Sequence, residues 1–291
     1  MALRGKAPTE IKKRCKVMFY GQSGVGKTTC ALGFPKPYVI DTERGAENKS
    51  YVKKMLEQGA AYWFTADPDE LIQEVRNLLS TPHDFQTLVI DPLSVMYDDM
   101  LDKSARSLAS KEDPTGTAFS RHKGYPDRQM KHLFNLLTRL DMNVVIINHA
   151  KGQWLNGQPS GRDTFAGYSK ADYLLDLVIE VQKRGKDRYG VVRKTRMEEA
   201  FPEGESFLFS YDEIAKRYGR EDLERTVTTV VLATAQQIAE AERLVALLKI
   251  DQETVEKWWE KEKASSWEEM PESRMSACIE YMTKTIQGVS K

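Results

Sequence analysis

The chain has 291 residues, of which 41% are hydrophobic and 30% are charged, and this hydrophobic content excludes general disorder. The 43 basic and 43 acidic residues balance, so net charge alone indicates no polyanionic partner. There is no run of about 18 apolar residues, and the basic segment Met1 to Lys16 lacks the apolar stretch of a secretory signal. Three scattered cysteines lack metal-ligand spacing and suit a reducing compartment, so we expect a cytoplasmic protein without membrane contact.

Short apolar runs alternate with amphipathic segments along most of the chain. The runs are β-prone and several end at glycine or at a polar residue, which predicts buried strands. Predicted strands are Lys16–Tyr20, Tyr38–Ile40, Tyr62–Phe64, Thr87–Ile90, Val144–Ile147, Leu174–Val181 and Tyr189–Lys194, and predicted helices are Lys27–Gly33, Pro68–Leu79 and Pro126–Leu140. This alternation predicts an α/β fold with a mostly parallel central sheet flanked by helices.

The remaining segments are irregular or helical. Asp102–Tyr125 and Ala150–Lys170 are polar, contain several glycines and predict long loops, which are either functional or mobile. From Gln236 onward there is no strand signal, and apolar residues recur at helical spacing. We therefore divide the chain into a core, residues 1–233, and a small all-helical C-terminal module, residues 234–291.

The segment Gly21–Thr28, directly after the first predicted strand, contains the most specific motif in the sequence. It matches the P-loop pattern G-x-x-x-x-G-K-[ST], or Walker A motif, in which backbone N–H groups and a helix start surround the phosphates of a nucleotide. The lysine, Lys27, would reach the β- and γ-phosphates, and Thr28 would be a Mg²⁺ ligand. The predicted nucleotide-binding residues are Gly21, Gln22, Ser23, Gly24, Val25, Gly26, Lys27, Thr28 and Thr29.

Besides the threonine, a P-loop requires an acidic residue beside the Mg²⁺ ion, at the end of a neighbouring strand. Asp91 directly follows the apolar run Thr87–Ile90 and is the candidate second Mg²⁺ residue. An alternative role for Asp91 is to cap a helix that begins after Pro92.

An acidic pair follows the second predicted strand. Asp41 and Glu43 alternate, so they project to the same side if the extended conformation continues. Here the sequence resembles the RecA-like ATPases, in which a glutamate at this position polarises the water that attacks ATP. The resemblance implies an ATPase with a RecA-like P-loop NTPase core, in which Glu43 is catalytic; a solvated turn carboxylate is the alternative for Glu43.

Two further features fit the same resemblance. The strand Val144–Ile147 leads to Asn148 and His149, where RecA-like proteins commonly carry a polar sensor of the γ-phosphate; an ordinary strand-end histidine is the alternative. The loop that follows binds DNA in RecA-like recombinases. In this chain it mixes cations with aromatic residues, which suits single-stranded DNA, although a mobile surface loop is the alternative. These residues are Lys151, Trp154, Arg162, Phe165, Tyr168 and Lys170.

Lys194 and Arg196 form a Lys-x-Arg pair at the end of the last predicted strand, Tyr189–Lys194. This pair resembles the trans-acting fingers of hexameric RecA-like ATPases, which contact the γ-phosphate held by the adjacent subunit. The resemblance implies a head-to-tail homo-oligomer. Alternatively, the pair belongs to a basic patch that binds phosphate backbones, together with Lys183, Arg184, Lys186, Arg188 and Arg193.

The order of these motifs is similar to that of phage-encoded RecA-like ATPases of the single-strand annealing group. The resemblance implies a Mg²⁺-dependent, DNA-stimulated ATPase that acts on single-stranded DNA in phage recombination, annealing or repair, in the host cytoplasm. A nucleotide-gated scaffold or loader is an alternative function, with residues 235–291 binding a single-strand-binding or replication protein. A ring-shaped helicase or translocase is a third.

Overall fold

The structure is a computed structural model that describes residues 14–155 and 157–289. The expectation for the basic N-terminus, from Met1 to Lys13, therefore lies outside the described residues. Within them the strands are β1 (Lys16–Gly21), β2 (Pro37–Asp41), β3 (Ala61–Phe64), β4 (Thr87–Asp91), β5 (Asn143–Leu155), β6 (Gln158–Phe165), β7 (Leu177–Arg184), β8 (Asp187–Thr195) and β9 (Ser206–Leu208).

The helices cover the sheet and form the C-terminal region. They are α1 (Lys27–Ala31), α2 (Lys49–Glu57), α3 (Pro68–Ser80), α4 (Leu93–Leu108), α5 (Gly124–Arg139), α6 (Ala171–Leu174), α7 (Tyr211–Tyr218), α8 (Arg220–Glu224), α9 (Ala235–Leu248), α10 (Gln252–Lys261) and α11 (Glu272–Val289). None of the helices in this part of the chain is long and apolar enough to cross a membrane.

The sheet order is β3-β2-β4-β5-β1-β7-β8-β9, with β6 paired to the outer half of β5. The first six strands in this order are parallel, and β8 and β9 continue the sheet in antiparallel fashion. The predicted fold class is confirmed in its architecture: a mostly parallel sheet is flanked by helices and followed by a helical C-terminal region. The carboxyl ends of β1, β2, β4 and β5 meet at one edge of the sheet, which is where ligands bind in open α/β sheets.

Two apolar layers enclose the sheet because successive side chains on a strand point to opposite faces. Met18 of β1 contributes to one layer with α3, α4 and α5, whereas Phe19 contributes to the other with α1 and α7. Each layer buries its side chains almost completely, and this apolar burial is the main stabilising term for the fold.

The C-terminal helices have their own apolar cluster, which includes Leu244, Trp267 and Met275. They contact the core through Glu269, whose side chain is fully buried. Its carboxylate accepts hydrogen bonds from Arg76 of α3 and His132 of α5. The division at residues 233 and 234 into two domains stays a prediction.

The structure departs from the sequence-based expectation in both predicted long loops. Helix α4 continues to Leu108, well into the segment Asp102–Tyr125. The segment Ala150–Lys170 is not an irregular loop, because most of it forms an antiparallel hairpin between β5 and β6. Asn156 lies outside the described residues. We call the segment Ala150–Phe165 the hairpin arm below.

Candidate functional site

The turn between β1 and α1 lies at the carboxyl edge of the sheet. A Cβ atom at Gly21 would lie 2.4 Å from the carbonyl oxygen of Val181, so only glycine permits this approach of β1 to β7. Gly24 and Gly26 have φ angles of 73° and 97°, in the left-handed region that glycine adopts at little cost. These glycines let the backbone curl tightly before α1 begins at Lys27, without a capping side chain.

Lys27 is held at the base of this turn. Its Nζ atom donates hydrogen bonds to the carbonyl oxygens of Gly21, at 2.8 Å, and Gln22, at 2.9 Å. Burial lowers the pKa of Lys27, and the charges of Asp91 and Glu43 oppose that shift. A buried ammonium with neutral carbonyl partners favours an anion beside it.

Thr28 and Asp91 meet beside the turn. The Thr28 hydroxyl donates to Asp91 Oδ2 at 2.6 Å, which joins the start of α1 to the end of β4. Burial raises the pKa of Asp91 to about 6, although the Thr28 hydrogen bond lowers it. A hydroxyl and a carboxylate in contact are oxygen donors of the kind that Mg²⁺ binds, with phosphates and waters as its other ligands. In the described segments no group of three or more His, Cys, Asp or Glu residues could hold a metal ion by itself.

The acidic pair after β2 has two different environments. Asp41 is 1% exposed, and its carboxylate accepts backbone hydrogen bonds from Glu43, Gly45 and Ala46. The expected extended continuation is wrong, because these bonds turn the chain directly after Asp41. Asp41 therefore organises the loop that carries Glu43, whose side chain is 43% exposed.

His149 lies where β5 leaves the central sheet, level with Gly21 of β1. Its Nε2 atom is 3.8 Å from Glu43 Oε1. Both side chains line a cavity of about 180 Å³ beside the P-loop. The residues from the sequence analysis that this cavity brings together are Ser23, Gly24, Gly26, Lys27, Thr28, Asp41, Glu43, Asp91 and His149.

A second cavity, of about 730 Å³, borders the same turn at Gly24, Gly26 and Thr29. Its volume is in the range of small-molecule sites. It is lined by residues that the sequence analysis did not assign to the nucleotide site, namely Tyr51, Lys54, Arg188 and Tyr211. A Cβ atom at Gly26 would lie 3.7 Å from the Arg188 side chain.

Strand direction explains why Arg188 lies here. β7 runs parallel to β1, and so the turn between β7 and β8 lies at the P-loop edge. Two strands were predicted in this part of the chain, and the parallel pairing of β7 with β1 is the missing step that would have placed Arg188. No comparable sequence signal marks Tyr51, Lys54 or Tyr211.

The hairpin arm contacts the P-loop through one side-chain hydrogen bond. Gln22 Nε2 donates to Asp163 Oδ2 at 2.8 Å. Trp154 is 66% exposed near the end of the arm, and Lys151 and Arg162 are exposed. The arm therefore presents an exposed aromatic side chain and two cations.

Two other aromatic residues from the predicted DNA-binding segment are less exposed than Trp154. Tyr168 is 6% exposed and packs against Tyr97 and Phe134. Phe165 is half-buried and lies edge-on to Tyr20. The assignment of Tyr168 to a DNA-contacting surface is therefore wrong, because it belongs to the core, whereas the assignment of Phe165 stays a prediction.

Lys194 and Arg196 lie away from the P-loop of their own chain. Lys194 pairs with Val178 near the amino end of β7, because β8 runs antiparallel to β7. Its Nζ atom donates to the carbonyl oxygen of Leu175, and Arg196 forms an ion pair with Asp176. The structure does not bring these two residues to the cavity that contains Lys27, and their action on a neighbouring subunit stays a prediction.

Comparison with known proteins gives one family match. Residues 13–205, about two thirds of the chain, match the family described as AAA domain. No curated protein matches the sequence.

Solved structures with a similar fold include the RadB recombinase, at 18% identity and a TM-score of 0.47, with 68% of this chain and 87% of that chain covered. They also include an ATPase from the type III secretion system of pathogenic bacteria, at 14% identity and a TM-score of 0.38. That comparison covers 94% of this chain and 81% of the other.

Proposed function

Since this chain belongs to the AAA domain family, we propose that it is a Mg²⁺-dependent ATPase whose nucleotide state controls a contact with single-stranded DNA. One observation carries the proposal: Lys27, Thr28, Glu43 and Asp91 line a single cavity at the end of the P-loop. This arrangement supplies a cation for phosphate oxygens, two oxygen donors for a metal ion and a carboxylate for water.

Lys27 would bind the β- and γ-phosphates. Its ammonium now donates to the Gly21 and Gln22 carbonyls, and phosphate oxygens would add charge-assisted hydrogen bonds. A phosphate charge would also counteract the effect of burial, which lowers the pKa of Lys27. The nucleoside would occupy the cavity of about 730 Å³ that begins at Gly24 and Gly26.

Thr28 and Asp91 would hold Mg²⁺. The metal ion, when bound, neutralises charge on the phosphate oxygens. The Thr28 hydroxyl, which donates to Asp91 at 2.6 Å, would offer a lone pair to the metal ion, and an ionised Asp91 would supply the negative charge beside it.

Glu43 would orient the attacking water and accept its proton. The loop fixed by Asp41 places Glu43 at the cavity, where solvent reaches its carboxylate. His149 lies next to Glu43 and at the base of the hairpin arm. It would therefore sense the γ-phosphate and move together with Glu43.

The hairpin arm would carry the DNA contact. Trp154 offers a face for base stacking, and Lys151 and Arg162 offer charge for the backbone. The Gln22–Asp163 hydrogen bond gives a direct path between phosphate binding and the arm. In this role the protein would act in recombination, annealing or repair of phage DNA in the host cytoplasm, as its resemblance to phage-encoded ATPases implies.

ATP turnover measured with and without single-stranded DNA tests this function. We expect DNA to stimulate turnover in the wild-type chain, and Trp154→Ala to remove most of the stimulation while basal turnover remains. Phe119→Ala, which removes another highly exposed aromatic ring outside the arm, should behave as wild type. Equal stimulation of both variants would contradict the role of the arm, and absence of turnover would contradict the ATPase.

A second candidate function is a nucleotide-gated loader of replication proteins. The C-terminal helices contain a cavity of about 430 Å³ lined by Trp258, Met270, Cys278 and Tyr281, and this surface could receive an apolar segment of a partner. Slow turnover without DNA stimulation, together with nucleotide-dependent binding of a single-strand-binding protein, would favour this function. Strand unwinding would favour a ring-shaped helicase or translocase, and in that case Lys194 and Arg196 would act across a subunit interface.

A further inference from the structure

A second cavity rich in basic side chains lies at the amino end of the sheet, opposite the P-loop edge. Its volume is about 490 Å³, and it is lined by residues from the start of β1, from the turn after α5 and from the C-terminal region. We call it the basal cavity. The cationic residues that line it are Arg14, Lys16, Arg139, Arg196, Arg225 and Lys263.

The carboxylates of the basal cavity do not balance these cations. Asp141 is shared between Arg14, at 3.0 Å, and Arg225, at 2.7 Å. Asp176 forms an ion pair with Arg196 at 3.3 Å. The two carboxylates, which carry one negative charge each, therefore face six basic side chains.

The other three basic side chains have neutral hydrogen-bond partners. Lys16 Nζ donates to the carbonyl oxygens of Leu140 and Met142 at 2.9 and 2.7 Å. Lys263 donates to the Thr138 hydroxyl at 3.1 Å. The Arg139 guanidinium donates to a backbone carbonyl of the C-terminal helical region. The basal cavity therefore has more basic than acidic side chains in its lining.

Two guanidinium nitrogens of the lining residues lack an acceptor. Arg139 Nη1 and Arg225 Nε are buried and make no hydrogen bond. A buried donor without an acceptor destabilises the folded protein. The basal cavity thus combines unsatisfied donors with excess positive charge, and both conditions are relieved by an anion with several oxygens.

We propose that the basal cavity binds a phosphate group. A phosphate carries more than one charge and offers several acceptors, which suits planar guanidinium groups better than a carboxylate would. The cavity is much larger than one phosphate, so the group would belong to a polyphosphate or to the backbone of a nucleic acid. Because Arg14 belongs to the core and Lys263 to the C-terminal region, the bound phosphate would bridge the two.

This site is separate from the ATP site. Thr195, next to Arg196, pairs with Leu177 of β7, which pairs with Val17 near the start of β1. The P-loop begins at the other end of that strand, at Gly21. The site would therefore give Arg196 a phosphate ligand within its own chain.

Calorimetry with the full chain tests the proposal, using Lys27→Ala as the background so that phosphate binding at the P-loop is disabled. Tripolyphosphate at fixed salt should bind this protein saturably. Adding Arg196→Ala or Lys263→Ala should weaken binding about tenfold or more, because each removes a charged donor. Arg243→Ala and Lys284→Ala remove exposed cations from the C-terminal helices and should change the affinity less than about twofold.

A competing single-stranded oligonucleotide identifies the source of the phosphate. Competition with tripolyphosphate assigns the site to a nucleic-acid backbone, and lack of competition assigns it to free polyphosphate. Arg196 and Lys263 are exposed, so their variants should fold, and thermal unfolding checks this. Absence of saturable binding, or equal weakening by the basal and control variants, would overturn the proposal.

Discussion

Replacement of Asp91 by asparagine should make the ligand-free protein more stable while it removes activity. Burial raises the pKa of Asp91 from 3.8 to about 6. At neutral pH this shift corresponds to roughly 3 kcal/mol against the ionised side chain in the folded state. Asparagine carries no charge and keeps an acceptor for the Thr28 hydroxyl, so Asp91→Asn should gain about 2–3 kcal/mol in the free energy of unfolding.

The pH dependence of this gain distinguishes it from a general packing effect. The folded-state pKa is raised above the unfolded value, so the destabilisation by Asp91 is absent below about pH 4 and complete above about pH 6. Urea unfolding without nucleotide or Mg²⁺ should therefore show a stability gap at about pH 7.5 that closes near pH 4.

A matched variant and an activity assay complete this test. Asp187→Asn, at an exposed position on β8, should change stability by less than about 0.5 kcal/mol. ATP turnover of Asp91→Asn should fall by about 100-fold or more, because a metal ligand is lost. A variant no more stable than wild type at neutral pH, or a gap of equal size at both pH values, would refute the reasoning.

Three further substitutions test separate parts of the account. Glu43→Gln should still bind ATP but hydrolyse it about 100-fold more slowly in single-turnover assays, because an amide cannot accept the proton of water; normal turnover would exclude Glu43 as the base. If Arg196 acts on the ATP of a neighbouring subunit, a mixture of Arg196→Ala and Lys27→Ala proteins should regain ATP turnover. A mixture without turnover would show that Arg196 acts only within its own chain. Glu269→Gln should destabilise the fold by about 3 kcal/mol in urea unfolding, because it leaves the Arg76 cation opposite a neutral group; an unchanged midpoint would show that this contact is not stabilising.

Glu269 also gives the wild-type protein a defined acid sensitivity. Burial alone would raise its pKa, but the contacts with His132 and Arg76 lower it to about 2. Because the folded-state pKa is depressed, this stabilisation is present above about pH 4.5 and is lost as the pH falls toward 2. The stability difference between wild type and Glu269→Gln should therefore shrink over that interval.

The sequence was sufficient for the parts of the fold that depend on local patterns. β1 and the P-loop glycines are recognisable because a buried apolar run leads into a spacing that only a phosphate-binding turn requires. Helix α3 is recognisable from the recurrence of Leu71, Val75 and Leu78 at helical spacing, and all three are buried.

The hairpin arm was not recognisable as strands. Most of its residues are polar or glycine, and much of it projects beyond the core, so the alternation that marks a half-buried strand is missing. Tyr168 shows the related difficulty: composition placed it with the exposed aromatics, whereas its burial depends on the distant residues Tyr97 and Phe134.

Strand direction was the other missing information. Arg188 and Lys194 lie at opposite ends of β8, and Arg196 directly follows that strand. Sequence alone does not say which end of β8 faces the P-loop. The antiparallel pairing with β7 brings Arg188 to the nucleotide edge and leaves Lys194 and Arg196 near the opposite edge.

The most direct test of the central claim is the affinity of the purified chain for Mg²⁺-ATP, measured by calorimetry for wild type and Lys27→Ala. The account predicts one saturable site in the wild type, and about 100-fold weaker binding in the variant, because Lys27 would supply charge-assisted hydrogen bonds to two phosphates. Lys284→Ala, which removes an exposed lysine on α11, should bind as the wild type does. Wild-type protein that fails to bind Mg²⁺-ATP, or Lys27→Ala protein that binds it equally well, would contradict the claim that the turn from Gly21 to Thr28 holds a nucleotide.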